Sequence, residues 1–166
     1  MQGYRLVDAQ EALRFILAGN SFFTVKSRTG NRYTFQVMAP KDELPAENPL
    51  PGMEDIREIR RNYDSETRFV KVLTGPDNED NYSYIGILNT RTNLFRLTKK
   101  SRMTSDSLPV KAISWLVAKL AAGLMPTTCE LWHEGFCGRC GRKLTVPESI
   151  QSGYGPECIQ IMRRKI

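Results

Sequence analysis

All four cysteines of this chain lie between residues 129 and 158, near the carboxyl end, and none occurs earlier. Cys137 and Cys140 form a Cys-x2-Cys pair in which a glycine follows each cysteine, and Cys158 comes later. Two thiolates on one tight turn can bind the same metal ion, and Gly138 and Gly141 allow the backbone to fold beneath them. The spacing therefore predicts a metal site, which would fold a segment too short to bury a core of its own.

We call this turn the knuckle (residues 136–143). A helix after the knuckle is expected to supply the third thiolate. Gly155 can cap the helix and Pro156 can begin it, so Cys158 would lie in the first turn, where the helix dipole favours a thiolate. The helix is predicted to run through Arg163. A knuckle followed by such a helix resembles the treble-clef arrangement, which usually has two ligands on the helix where this chain has one.

The fourth ligand must come from another segment. His133, the only histidine of the sequence, lies four residues before Cys137 and closes a His-x3-Cys-x2-Cys-x17-Cys site. Cys129 is the competing candidate, because alternate residues of an extended segment share one face. We favour His133, since Cys129 lies eight residues before Cys137, near the middle of a predicted strand. We expect one structural Zn2+ ion, bound by His133, Cys137, Cys140 and Cys158.

Other chemistries of the cysteine cluster fit less well. A disulfide framework would accompany secretion, and residues 1–8 lack a signal pattern. A redox Cys-x-x-Cys pair would lie in a parallel unit and would not need Cys158. A catalytic zinc is disfavoured because the deaminase and His-Glu-x-x-His signatures are absent. No cluster of acids or histidines indicates a metal-dependent nuclease, so we expect the protein not to be an enzyme.

Hydrophobic periodicity predicts an α+β fold with an antiparallel β-sheet and two main helices, followed by the small treble-clef-like zinc module. Helices are expected over 8–18, capped by Asp8, and over 108–122. Alternating apolar residues predict strands at 22–25, 33–37, 67–73, 82–88 and 94–97. The proline-rich residues 39–52 are expected to form an irregular loop, and 53–63 a short exposed helix because Arg and Glu recur at helical spacing.

The chain has 166 residues, of which 40% are hydrophobic, so it can bury one ordinary core and carry a small satellite. We divide it into a sheet domain, 1–126, and a zinc-binding module, 127–166. No apolar run approaches the roughly 20 residues that span a bilayer. We expect no membrane partner and a cytoplasmic location.

The net charge of +6 is unevenly placed, because residues 1–88 carry 11 basic and 13 acidic side chains. The basic excess lies in three groups: the loop trio Lys99, Lys100 and Arg102, the knuckle residues Arg139, Arg142 and Lys143, and the helix trio Arg163, Arg164 and Lys165. If these groups share a face, they would contact phosphates, with Tyr154 or Phe136 available to stack on an unpaired base. Nucleic acid, either DNA or RNA, is therefore the first predicted partner. The alternative is that these side chains are solvated or bind helix-end carbonyls.

A protein partner is the second prediction. The aromatic residues of the predicted sheet outnumber what one helix need cover, so one face could dock a partner or a second copy. These residues are Phe22, Phe23, Tyr33, Phe35, Tyr82 and Tyr84.

The sequence of residues 133–150, followed by Gly153-Tyr-Gly-Pro-Glu-Cys158, resembles a short zinc-binding domain of unknown function found in many bacteriophage and prophage proteins. The resemblance covers about residues 129–162, and residues 23–30 and 70–78 look like the β-rich segment that accompanies this domain. It implies a small virus-encoded protein of the bacterial cytoplasm without an established activity. It also implies His133 and the three later cysteines as the metal set, and leaves Cys129 outside. In the alternative function, such a protein binds and inhibits or redirects a host defence protein.

Overall fold

The computed structural model describes residues 4–76 and 81–165. The strands are β1 (Tyr4–Leu6), β2 (Asn20–Ser27), β3 (Arg32–Met38), β4 (Lys41–Pro45), β5 (Arg57–Arg61), β6 (Thr67–Leu73), β7 (Tyr82–Asn89), β8 (Phe95–Arg96) and β9 (Cys129–His133). The helices are α1 (Ala9–Ile16), α2 (Leu108–Ala121), α3 (Pro147–Ser152) and α4 (Pro156–Arg164). The predicted α+β class is confirmed. No helix in the described part of the chain is both long and apolar enough to span a membrane.

Seven strands form one antiparallel sheet in the order β1-β9-β2-β3-β6-β7-β8. β9 pairs with β1 on one side and with β2 on the other, although its residues belong to the module that we assigned to 127–166. The module is therefore attached to the sheet through a strand of its own, next to the edge strand β1. The division of the chain after residue 126 stays a prediction.

Alternate residues of the strands separate two faces of the sheet. One face is buried under α1 and α2, and Phe23, Phe35, Val70 and Leu131 form one core cluster there with the helical residue Phe15. The buried apolar side chains of the helices all belong to this cluster. The other face, which we call the open face, carries half-buried side chains outside the cluster: Phe22, Gln36, Phe69, Lys71, Tyr84 and Trp132.

Local signals positioned the two main helices correctly. The Asp8 carboxylate accepts a hydrogen bond from the Glu11 N–H at 2.9 Å, and α1 begins at the next residue. Pro109 lies in the first turn of α2, where its missing N–H leaves no hydrogen bond unmade. The predicted strand at 94–97 is the two-residue strand β8.

The helix predicted at 53–63 is wrong, and the irregular loop predicted at 39–52 is confirmed for residues 46–52 but not for 41–45. β4 and β5 form a separate two-stranded ribbon on either side of the loop 46–56. Arg60 forms ion pairs with Glu58 of β5 at 2.6 Å and with Glu47 of the connecting loop at 2.7 Å. The Arg and Glu side chains that suggested a helix therefore pair with one another in the ribbon and its loop. Pro45 is the last residue of β4, where a missing backbone N–H does not interrupt the pairing.

Arg68 joins the end of α1 to β6 and to the segment before it. Its side chain is buried and donates hydrogen bonds to the backbone oxygens of Leu17 at 2.8 Å, Tyr63 at 3.0 Å, Ser65 at 2.7 Å and Thr67 at 3.1 Å. Leu17 is the C-cap residue of α1, where the helix dipole favours a cation.

We expect Arg68→Ala to lower the free energy of unfolding by about 3 kcal/mol, because several carbonyl groups lose their donor in a buried site. Urea denaturation followed by circular dichroism measures this change. Arg91→Ala is the control, because Arg91 is exposed and contacts Glu66 at 3.7 Å on the surface, where an ion pair contributes little. A loss below about 1 kcal/mol for Arg68→Ala would contradict this role.

Candidate metal centre and basic surface

The knuckle is a tight turn closed by backbone hydrogen bonds. The Cys137 N–H donates to the Arg142 oxygen at 2.7 Å, and the Gly141 N–H donates to the Cys137 oxygen at 2.8 Å. Gly141 has a φ of 79°, in the left-handed region that favours glycine. The buried Leu144 packs behind the turn. The turn therefore holds Cys137 and Cys140 toward one point.

The knuckle contacts both the sheet and the segment before α4. The Gly138 oxygen accepts from the Asn20 N–H at 2.9 Å, and the Gly138 N–H donates to the Gly153 oxygen at 2.9 Å. A Cβ atom on Gly138 would lie 2.6 Å from the Phe15 ring. Glycine is thus required here for close approach to α1.

Three thiols meet at this point. Cys158 lies in the first turn of α4, which Gly155 caps and Pro156 begins, as predicted. The Sγ atoms of Cys137, Cys140 and Cys158 all lie within 4.8 Å of one another, and none of the four cysteines forms a disulfide. Three sulfurs around a tetrahedral ion with bonds of about 2.3 Å would be about 3.8 Å apart. Cys137, Cys140 and Cys158 can therefore hold a metal ion.

The electrostatics of the thiols also suit a cation. Burial raises the pKa of Cys137, but N–H groups of Cys140, Gly155 and Arg139 that point at its sulfur outweigh burial and bring the pKa below its usual value. Burial, and to a smaller extent the neighbouring Cys137 thiolate, raises the pKa of Cys158 to about 12. Thiolates this close repel one another, and a bound metal ion would remove the repulsion.

Arg139 does not project from the knuckle into solvent. Its guanidinium lies over the Tyr63 ring, 3.8 Å from the ring centroid, and Nη1 lies 3.9 Å from the Cys158 sulfur. The Nε atom is buried without a hydrogen-bond partner among the residues that the structure describes. Arg139 thus lies against the thiol cluster, between Tyr63 and Cys158, and is less available for a phosphate than the sequence suggested.

The structure does not bring His133 to the three thiols. The buried ring lies 5.5 Å from the Phe15 ring between centroids, and both its nitrogens bind backbone groups. Nδ1 accepts from the Gly135 N–H at 3.0 Å, so the proton resides on Nε2, which donates to the Ile150 oxygen at 2.5 Å. Burial lowers the pKa of His133, which favours this neutral form. His133 therefore connects the end of β9 to α3 by a hydrogen bond.

Cys129 is not in the cluster either. It pairs with Ser27 at one end of β9, whereas His133 is at the other end, about 13 Å away along an extended strand. Within residues 4–76 and 81–165, no further cysteine, histidine or acidic side chain joins the three thiols.

Eight of the nine predicted basic contact residues are exposed, Arg139 being the exception. None of the eight forms an ion pair with a described residue. Tyr154 is 7% exposed, too little to stack on a base, whereas Phe136 is half-buried. The positive charge of the eight exposed basic residues is therefore available to an anionic partner.

Two of the three basic groups border the open face. Lys143 and Phe136 form a backbone bridge, which places the exposed pair Arg142 and Lys143, the knuckle pair, beside the Phe136 ring. The loop trio is attached to the other side of the face, because the Arg102 N–H donates to the Tyr84 oxygen at 3.0 Å. The helix trio lies elsewhere, where Lys165 lines a cavity with residues of α1.

Comparison with known proteins adds one finding. Residues 133–163 match a family of unknown function, DUF6011, and this match begins at His133 and contains the three clustered cysteines. No curated protein and no solved structure matches the chain significantly.

Proposed function

We propose that this chain is a non-catalytic binding protein with one structural zinc ion, and that it binds nucleic acid through the knuckle pair and the loop trio. The observation that carries the proposal is the placement of these two unpaired basic groups on opposite borders of one sheet face. A polyanion lying across the face would reach both groups at once. The helix trio stays a prediction as a further contact.

The choice of zinc rests on the donor set. Thiolates are soft ligands that favour zinc, copper(I) or iron–sulfur clusters, and a Cys-x2-Cys turn followed by a helix-borne cysteine is typical of structural zinc. Cys137 and Cys158 are buried and Cys140 is half-buried, with Arg139 lying against Cys158. A site this enclosed supports a structural ion.

The biological setting is part of the same proposal. We infer from the resemblance to phage and prophage proteins that the protein acts in the cytoplasm of an infected bacterium. A second candidate function is binding to a host defence protein. It is favoured by the ribbon β4–β5 and its connecting loop, where Leu44, Leu50, Met53, Ile56 and Ile59 are all exposed.

Removing positive charge from both borders of the face tests the main proposal. We expect the quadruple variant Lys99→Ala, Lys100→Ala, Arg142→Ala and Lys143→Ala to lose most of its affinity for labelled oligonucleotides. The slope of log affinity against log salt is negative, and its magnitude should decrease by about 3, because four phosphate contacts to a single strand contribute about 0.7 each. Fluorescence anisotropy between about 50 and 200 mM salt measures both quantities.

The matched control removes the same charge elsewhere, with Lys41, Arg57, Arg91 and Lys111 changed to Ala. These side chains are exposed and belong to neither border of the face. Equal losses in the two quadruple variants would show that net charge alone matters and would reject the proposed surface. Binding of a host protein that survives nuclease treatment, without binding of any oligonucleotide, would favour the second candidate.

A further inference from the structure

The open face carries aromatic rings that the core does not use. Phe22, Phe69, Tyr84 and Trp132 are half-buried and lie on β2, β6, β7 and β9, on the side opposite the core cluster. Large apolar rings on a face without a covering helix lose part of their burial energy to water. Such a face is a common place for a ligand that can cover the rings.

The rings form two clusters on the open face. The Phe136 and Phe22 ring centroids are 5.4 Å apart, and the Phe22 and Tyr82 centroids are 6.0 Å apart. Phe69 and Tyr84 form a second contact at 6.2 Å. The Phe22–Tyr82 contact joins β2 and β7, which are three strand spacings apart, about 14 Å, so the sheet is curved and the open face is concave. The first cluster lies beside the knuckle pair, and the second contains Tyr84, whose backbone oxygen binds the loop trio.

The charges on this face favour an anion. Lys71 lies beside Tyr84 on the open face, and Lys26 and Arg32 lie at the hairpin end of the face, opposite Glu130. None of the three forms an ion pair with a described residue. Two acids among the described residues share the face. Glu130 accepts from the Trp132 Nε1–H at 3.0 Å and contacts Arg5 at 3.8 Å, and Glu134 binds the Thr24 hydroxyl. The basic side chains are thus in excess and unpaired, whereas both acids have partners.

We propose that the open face is a stacking platform for single-stranded nucleic acid, with bases on Phe22, Phe136 and Tyr84 and phosphates on Lys71 and the two basic borders. This inference rests on the proposed function and specifies its ligand. Bases in a duplex already stack on one another and cannot reach rings on a concave sheet face, whereas unpaired bases can.

The first test compares single strands with duplex. An oligothymidylate of about 12 nucleotides should bind at least about tenfold more tightly than a duplex hairpin with a stem of the same length. Phe22→Leu and Phe136→Leu should each weaken single-strand binding about tenfold, because leucine keeps the apolar contact but has no ring on which a base can stack. The salt slope should not change in these variants. Lys71→Gln should reduce that slope by about 0.7.

Trp115→Leu is the matched control, because Trp115 is an exposed aromatic residue of α2, which packs on the other side of the sheet. It should leave binding unchanged. Glu134→Gln is expected to strengthen binding about twofold, since it removes a negative charge from the face and keeps an acceptor for Thr24. Weaker binding of the oligonucleotide by the Glu134→Gln variant would contradict the proposal that negative charge on the open face opposes binding.

If a leucine variant does not fold, a measurement that leaves the rings of the open face intact still tests the platform. The chain has two tryptophans, so Trp115→Phe leaves Trp132 as the single fluorescent reporter, and it lies on the open face. Oligothymidylate should quench its emission at the same concentrations at which anisotropy shows binding. Binding without quenching of Trp132 would overturn the platform.

The outcomes separate this inference from the proposed function. Equal affinity for duplex and single strand, with unchanged binding in Phe22→Leu and Phe136→Leu, would reject the platform. If the quadruple basic variant still lost its affinity, binding at the basic borders would stand. Absence of binding to any oligonucleotide would reject both.

Discussion

Cys158→Ser is expected to leave less than about a tenth of the metal that the unchanged protein holds, and to unfold the module that follows β9. The variant removes the thiol that α4 contributes to the cluster with Cys137 and Cys140. Because the module has few buried apolar residues of its own, metal binding supplies most of its folding free energy. In small zinc domains that energy is about 10–16 kcal/mol. Elemental analysis gives the metal content, and hydrogen exchange reports protection of residues 136–160.

Cys129→Ser is the control for this prediction. It removes a buried thiol at the other end of β9 and should retain the metal and the protection of the module. Stoichiometric metal in Cys158→Ser, or loss of metal in Cys129→Ser, would contradict the assignment of the three ligands.

Changes at His133 are expected to reduce stability without releasing the metal. His133→Ala removes a ring that donates to the Ile150 oxygen and accepts from the Gly135 N–H, and it leaves a cavity beside Phe15. The free energy of unfolding should fall by about 3–4 kcal/mol. His133→Gln should recover part of that loss, because its amide can donate to the Ile150 oxygen. Urea denaturation and metal analysis of the same samples provide the measurement.

The two variants distinguish a hydrogen-bonding role from ligation. If His133 were the fourth ligand, both variants would lose metal, and glutamine would rescue neither metal nor stability. Retention of one ion per chain in both, with a smaller loss of stability in His133→Gln, is the result that the structure predicts.

Short-range signals explain why much of the fold could be predicted. The cap at Asp8 and the proline at the start of α2 act within one helical turn, and the apolar alternation of β2, β3 and β6 reflects burial of one face. The ribbon β4–β5 could not be predicted in this way. Its exposed strands carry no alternating apolar pattern, and its pairing joins residues far apart, such as Lys41 and Arg61.

The same limit applies to the site. Cys137, Cys140 and Cys158 could be predicted because a tight turn and a helix start fix their positions locally. The partner of His133 is the backbone oxygen of Ile150, which has no signature in the sequence. Arg139 turns inward because it meets Tyr63, a residue of the sheet domain far away along the chain.

The open face shows a third reason. Phe22, Tyr82 and Tyr84 were recognised in the sequence, but Phe23, Tyr33 and Phe35 lie on the core side. The arrangement of the open face depends on β9 inserting between β1 and β2. That insertion brings Phe136 to Phe22. Sheet order is set by long-range pairing, for which periodicity along the chain gives no rule.

The most direct test of the account is an X-ray absorption spectrum at the zinc edge, recorded on freshly purified, untagged protein. We expect one zinc ion per chain, with three sulfur atoms at about 2.3 Å. A sample without zinc, or zinc with fewer than three sulfur neighbours, would contradict the claim that Cys137, Cys140 and Cys158 together bind the ion.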